Sequence, residues 1–455
     1  MLGPPLQYQS LKTVLLHTDA NTRFRISSHM PSIRDVEKRI PLKVKRLQMS
    51  KEGTVINDTS YRIEVVRYHP EGSMYPWPTE VDDERSRFDF DEFGVTVYLG
   101  EKVLLPGDIS LQLEDGTEDP EDTEENERFH KEYERFHKDL LKWDEKAVEI
   151  LSGLKSKGET VRDYIKTLDR DSKDQLLHRL RTPLEDLQRS IQCKKLKLLP
   201  FECRRNNVKC PFKYYIEFTI TKRASKQIQR FEYTKKQFEA VKQLNEFFFG
   251  GRSEPILVHL LDLAPPDCTL PNDIYRLPRD CRLLANQIKA YDFHMAHSSL
   301  LIGNSASLDT LWVYCTSDLD GFRHQLVQSV MKLVIEEAYH AVIMERFIPD
   351  LANREIFIVR TEFRPPQYVA CMNVWLSGNR PVGASLWIQV GNDETAREVL
   401  RLVETRHENA ERIERCVTIP RDNSTKANIY YTQTEGPKLS RYTNEWAMKI
   451  EIVGF

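Results

Sequence analysis

Nowhere in the 455 residues is there a run approaching the about 18 consecutive apolar residues that a membrane-spanning helix needs. The opening MLGPPLQYQSLK lacks a basic start, an apolar core and a small-residue cleavage site, so a secretory signal is not expected. Cysteine is scarce. The eight present (Cys193, Cys203, Cys210, Cys268, Cys281, Cys315, Cys371 and Cys416) are too scattered for a disulfide framework. Reduced, mostly buried thiols in a cytosolic or nuclear protein are the expectation. Catalytic signatures are missing as well: there is no GxxxxGKS/T phosphate loop, no GxGxxG and no HExxH zinc helix. GNSAS at 303–307 approaches a serine-hydrolase elbow but lacks the second glycine that lets the backbone turn sharply. Cys203 and Cys210 have no second pair at zinc spacing, and His294 with His297 reads as structural rather than as a metal site. An enzyme is therefore not expected, nor a metal or other cofactor. The net charge of -3 points to no class of partner.

What is present divides by composition into four stretches. Hydrophobic residues at 40% and charged residues at 30% allow large cores beneath a solvated surface. Residues 1–40 carry short helices. Residues 41–112 alternate apolar and polar side chains in LKVKRLQMS, TVINDTSYRIEVVRY and GVTVYLGEKVLL, the period of half-buried strands. Residues 113–195 begin with LEDGTEDPEDTEENE, nine carboxylates without a base, which repulsion and Pro120 mark as a solvated linker. After it, Phe129, Tyr133, Phe136, Leu140, Trp143, Ala147, Ile150 and Leu154 lay one apolar seam along a helix. A second helical stretch at 161–191 is bent or restarted by Pro183, which suggests an antiparallel helical hairpin. Its seam could serve a homodimer, but packing on its own partner is the preferred reading.

Residues 196–455 alternate strands and helices. ANQIKAYDF, LDTLWVYC, REIFIV and VGASLWIQV read as strands, as do IERCVTIP, ANIYYTQ and WAMKIEIVGF near the end. HQLVQSVMKLVIEE, PQYVACMNVWLSG and ETAREVLRLVETRHEN read as helices, with Gly378 a helix stop. The rhythm suits an irregular, leucine-rich-repeat-like β-α stack. The fold class expected overall is α+β or α/β: a helical module, a small β region, a charged hairpin and a C-terminal recognition domain.

Between residues 193 and 252, fifteen Lys or Arg face only five Glu, interleaved with Phe201, Phe212, Tyr214, Tyr215, Phe218, Phe231, Tyr233 and Phe238. Basic groups with aromatic platforms suit single-stranded nucleic acid. The same pattern arises from strands with aromatics on a core and lysines in water. The structural reading is preferred, and nucleic acid is not the expected partner.

The opening stretch LQYQSLKTVLLHTDANTRFRISSHMPSI is the most informative. Leu11, Val14 and Leu15 share a helical face, Asp19 can cap a second short helix carrying Phe24 and Ile26, and Pro31 restarts the chain. So small a unit cannot build much core alone. It docks on the strands that follow or on another protein. In spacing and type it resembles an F-box, through Leu6, Leu11, Leu15, Asp19, Ile26 and Ser27. Together with INDTSYRIEVVRY, LLPGDISL, FFFGGR, MNVWLSGNRPVGASLWI and RCVTIP, the chain is similar to the nematode F-box C-type proteins, whose N-terminal region is a domain of unknown function. That resemblance implies binding of a Skp-type adaptor within a cullin ubiquitin-ligase complex, with those six residues as adaptor-facing or F-box-core positions. It further implies an unknown protein substrate held by the C-terminal domain, and no membrane. Replacing Leu15 and Ile26 by Asp would then abolish adaptor binding. The alternatives are an interaction protein with a relic F-box packed inward, or a nucleic-acid binder using residues 193–252.

Overall fold

The computed structural model describes residues 8–68, 84–86, 88–97, 103–110, 123–157, 160–167, 170–263, 274–291, 308–314, 320–336, 346–359, 363–421, 424–433 and 446–454. The fold is mixed α/β, built on a large mixed sheet. Leu6, Cys268, Cys315, His294, His297 and the GNSAS segment lie outside the described residues.

Three short helices open the described chain: α1 (Tyr8–His17), α2 (Ala20–His29) and, after a 3-10 turn at Pro31–Ile33, α3 (Arg34–Lys38). They are followed by β1 (Lys43–Ser50), β2 (Gly53–Ile56) and β3 (Thr59–Tyr68), an antiparallel meander. After short strand pieces at Glu84–Ser86, Asp89–Phe90, Thr96–Val97 and Ile109–Ser110 come four helices: α4 (Thr123–Lys157), α5 (Val161–Thr167), α6 (Arg170–Arg181) and α7 (Leu184–Arg205). The hairpin β4 (Lys213–Lys222) and β5 (Ser225–Glu232) leads into α8 (Gln237–Phe249). Strands β6 (Ile256–Asp262), β7 (Leu283–Tyr291), β8 (Thr310–Tyr314), β9 (Lys332–Glu336), β10 (Glu355–Val359) and β11 (Ser385–Val390) follow. Between and after them lie α9 (Gln325–Ser329), α10 (Pro365–Ser377) and α11 (Asp393–Arg406). The chain closes with β12 (Glu411–Ile413), β13 (Cys416–Pro420), β14 (Thr425–Gln433) and β15 (Trp446–Gly454).

From β6 to β11 each strand pairs in parallel with the next in sequence. The sheet is extended on one side by parallel pairing of β6 with β1, then β2, β3, β4 and β5. On the other side β15, β14, β13 and β12 continue it antiparallel. One hydrogen-bonded sheet thus runs through both the 41–112 and the 196–455 stretches.

The register stacks aliphatic residues in rungs. Leu311, Leu333, Ile356 and Leu386 align across β8 to β11, and Val313, Ile335, Ile358 and Ile388 form the next rung. All are at most 1% exposed. Burial of each such side chain is worth roughly 1.5–3 kcal/mol, which makes this face the main anchor of the fold. Helices α8, α10 and α11 cover it, with Phe248, Trp375 and Leu400 in the same core.

Two expectations are corrected. HQLVQSVMKLVIEE is not one helix: α9 ends at Ser329 and KLVIE forms β9. A central parallel strand is apolar on both faces, so it reads as a continuous apolar run that periodicity cannot tell from a buried helix. The acidic linker is shorter than residues 113–127, since α4 begins at Thr123; intrahelical pairing such as Lys131 Nζ to Glu127 Oε2 (3.4 Å) dilutes the repulsion.

The helical hairpin packs on itself. Ala147, Leu176, Leu180 and Leu187 form its core, and Pro183 is the N-cap that restarts the chain as α7. Asp144, whose side chain is 4% exposed, accepts from Arg179 Nε at 2.7 Å and Ser190 Oγ at 2.8 Å, and also pairs with Lys194. The beginning of the seam stays open: Phe129 and Phe136 are exposed. Among the described residues, no helix is long and apolar enough to cross a membrane.

Candidate interaction surfaces

Two regions concentrate recognisable chemistry, and the first is the opening helical module. Asp19 sits in extended backbone and accepts from the Thr22 N–H at 3.1 Å, capping α2 as expected from its type and position. Burial pushes the Asp19 carboxyl up, but the hydrogen bonds from Thr22 outweigh it and hold it below the usual carboxylate range. Helix α2 then lies on the sheet. Ala20 and Phe24 join the main core, where Phe24 meets the Phe248 ring at 4.7 Å. Asn21 Nδ2 donates to the Ile56 carbonyl at 2.8 Å and to Thr59 Oγ1 at 3.1 Å, and Tyr61 donates to Asn21 Oδ1 at 3.0 Å.

A buried ionic knot fastens the module. Arg23 Nε donates to Glu37 Oε1 at 2.9 Å, and Arg252 NH2 reaches both Glu37 carboxylate oxygens at 3.0 Å. The three side chains are 2%, 3% and 4% exposed for Arg23, Glu37 and Arg252. Arg23 also donates to the carbonyls of Glu37, Ile40 and Pro41, so its planar fork is satisfied on several sides. Burial lowers the pKa of both guanidiniums, and the Glu37 carboxylate acts against that shift.

Of the six positions carried by the F-box resemblance, Leu6 is outside the described residues. Leu15 is 1% exposed and Ser27 4%, so both face the interior. Leu11 and Ile26 are half-buried, and Asp19 is exposed while serving as the cap. The apolar groups that do reach solvent are others: Tyr8 at 50%, Val14 at 48%, Leu16 at 44% and Met30 at 52%. Val14 and Leu16 flank the Leu15 ridge on either side, so α1 bears more apolar surface than its own docking covers. Beside it, a groove of about 530 Å³ runs between the α1–α2 corner and the edge of the sheet face, lined by Leu16, His17, Lys45, Leu257, His259 and Asn286.

The second region is the face of the parallel strands turned away from α10 and α11. The register sets Lys289, Trp312, Val334, Phe357, Trp387, Lys449 and Tyr430 in one row across β7, β8, β9, β10, β11, β15 and β14. Phe357 and Trp387 stack at 5.5 Å and 10°. Each ring carries a cation: Lys289 lies 5.6 Å from Trp312, Lys332 5.1 Å from Phe357 and Lys449 4.9 Å from Trp387. The lysines are also ion-paired, Lys289 with Glu336 at 2.9 Å, Lys332 with Glu355 at 3.3 Å and Lys449 with Glu451 at 2.6 Å. Burial pulls the Lys289 and Lys449 ammonium pKa down, but hydrogen bonds that they donate to Tyr and Glu oxygens more than reverse it, so both are raised. The result is a charge-balanced aromatic row, half-buried at Lys289, Phe357, Trp387, Lys449 and Tyr430 and buried at Trp312 and Val334. Trp312 is 9% exposed, and its indole N–H has no acceptor among the described residues.

These aromatics were not singled out from the sequence, yet a signal was there. Leu311-Trp312-Val313, Ile356-Phe357-Ile358 and Leu386-Trp387-Ile388 repeat one pattern of aliphatic, aromatic, aliphatic, with Leu333-Val334-Ile335 as its smaller version. Residues 193–252, by contrast, divide among the end of α7, the β4–β5 hairpin and α8. Phe212 and Phe238 are buried, and Phe231 is the exposed one of the eight aromatics named above, so they are not arranged as stacking platforms.

A family model described as a domain of unknown function (DUF3557) matches residues 236–392, from the start of α8 to just after β11. That is about a third of the chain, and it contains the six consecutive parallel strands and most of the aromatic row. No curated protein and no solved structure matches the chain.

Proposed function

We propose that this chain is a non-catalytic protein-interaction adapter, the substrate-recognition subunit of an SCF-type cullin ubiquitin ligase. Its opening helices would dock on a Skp-type adaptor, and its leucine-rich-repeat-like parallel stack would present the aromatic row to a protein substrate. What supports this reading is the pairing of two separate surfaces on one body. A small helical module is fixed by the Arg23–Glu37–Arg252 knot yet leaves Tyr8, Val14, Leu16 and Met30 in solvent. A rigid aromatic face is carried by other strands. An adapter needs that division and no reactive group of its own, and affinity on such faces comes from a few anchors such as Trp and Tyr rather than from summed area.

Burial of Leu15 and Ser27 favours a second reading, in which the F-box-like helices are a relic packed inward and the chain binds proteins outside ubiquitylation. It also changes the test. Leu15→Asp would place a charge in the interior and report on folding, not on docking. The informative variants are Val14→Asp and Leu16→Asp. Gel filtration of the purified chain with a Skp-type adaptor is expected to give a complex that either substitution weakens at unchanged circular dichroism. Absence of a complex with the folded, unsubstituted chain sinks the ligase reading and leaves the relic one.

A further inference from the structure

Strand β5 ends the sheet on its side. It pairs with β4 along its whole length, from Tyr215↔Glu232 to Lys222↔Ser225, without a bulge. All 8 of its residues are exposed. The hairpin turns through Arg223 and Ala224, with Arg223 at φ 51°. A two-residue turn closes on a hydrogen-bonded pair, here Lys222 and Ser225. The backbone groups of Ser225, Gln227, Gln229 and Phe231 therefore point at β4. Those of Lys226, Ile228, Arg230 and Glu232 point outward along the open edge. Natural sheets guard such edges with charged side chains, proline, bulges, very short strands or a covering element. The sequence SKQIQRFE carries the charges of Lys226, Arg230 and Glu232 but no proline, and among the described residues nothing covers the strand: Ile228 is 42% and Phe231 51% exposed.

We propose that β5 pairs antiparallel with β5 of a second copy of this chain about a two-fold axis at Gln229, joining two sheets into one. The charge pattern selects the partner and the register. With the axis at Gln229, Lys226 faces the partner's Glu232, and by symmetry Glu232 faces the partner's Lys226. Ile228 then lies opposite the stem of the partner's Arg230, a guanidinium already held by its own Glu217 at 3.0 Å. Moving the axis to Ile228 would put Lys226 against the partner's Arg230, and moving it to Arg230 would put that residue against itself. Like charges directly opposite on a ladder are destabilising, opposite ones stabilising. In the Gln229 register the outward backbone groups of both strands fall in hydrogen-bonding positions, so the two copies satisfy each other's edges.

The test is light scattering or sedimentation of the full chain over a wide concentration range. The mass is expected to rise from one chain towards two. Ile228→Pro removes an outward N–H that β4 does not use, and should leave a monomer with unchanged circular dichroism. Lys226→Glu or Glu232→Lys alone should weaken the dimer by roughly tenfold, because two symmetric contacts turn from attraction to repulsion. The two together should restore it. A chain that stays monomeric at every concentration overturns the proposal, as does a dimer indifferent to the proline and to the charge exchange.

Discussion

Removing the carboxylate of Glu37 should be among the most damaging single changes in the molecule. Glu37 lies between Arg23 and Arg252, and the three side chains are nearly inaccessible to water. Glu37→Gln keeps the shape and leaves two buried guanidiniums without their counter-ion. Arg23 would retain the carbonyls of Ile40 and Pro41, and Arg252 that of Phe248, so hydrogen bonding survives while charge compensation does not. Breaking a buried pair by removing one partner costs about 3–5 kcal/mol. With a urea dependence of about 3 kcal/mol per molar, the unfolding midpoint of the sheet domain should fall by about 1–1.7 M. Tryptophan fluorescence reads that midpoint through Trp375, which lies in the main core. Limited proteolysis should show cleavage within residues 8–40 well before cleavage of the parallel strands, because the knot joins the opening helices to the end of α8. A midpoint shift below about 0.3 M, with no new cleavage, would refute the view that this knot fixes the module.

The helical hairpin should be acid-sensitive through Asp144. Burial raises its carboxyl pKa, but hydrogen bonds from Lys194, Ser190 and Arg179 outweigh that and depress it below the ordinary aspartate value of 3.8. The folded value being the lower one, the stabilisation is present above 3.8 and is lost as pH falls from there through the folded pKa. Asp144→Asn should flatten the acid limb of the helical circular-dichroism signal, and an unaltered limb would remove Asp144 as its source. The stacked pair Phe357–Trp387 should couple by about 0.5–1.5 kcal/mol in a double-mutant cycle of Phe357→Ala and Trp387→Ala, read by urea denaturation. Additive losses would mean that the stacking contributes nothing beyond burial.

The local features of the fold were legible because their causes are local. Asp19 as a cap, Pro183 as a restart, Gly378 as the end of α10 and the alternating strands β1 to β3 each follow from a few neighbouring residues. What escaped depends on distance. Glu37 is a surface-type residue in sequence and becomes buried because Arg252 arrives from 215 positions away. β9 was misread because KLVIE is buried on both faces, and β6 was missed because ILVHLLD is a near-continuous apolar run whose half-open face only the assembled sheet reveals.

The aromatic row shows how a surface can be specified by strands that know nothing of one another. Each triplet places two aliphatic residues on the covered face and one aromatic on the other, because successive side chains in a strand alternate. Parallel pairing in uniform register then brings Trp312, Val334, Phe357 and Trp387 abreast, about one strand spacing apart. A slip of one residue in any strand would turn its aromatic into the main core and its aliphatics onto the aromatic face, so the same burial energy that holds the rungs also holds the row in register. The row therefore needs no contacts of its own to stay in place. Trimming one ring should alter what the face binds far more than how the protein folds: Trp387→Ala, with its neighbours Leu386 and Ile388 still buried at 0% exposure, should keep the parallel sheet while removing the stacked platform.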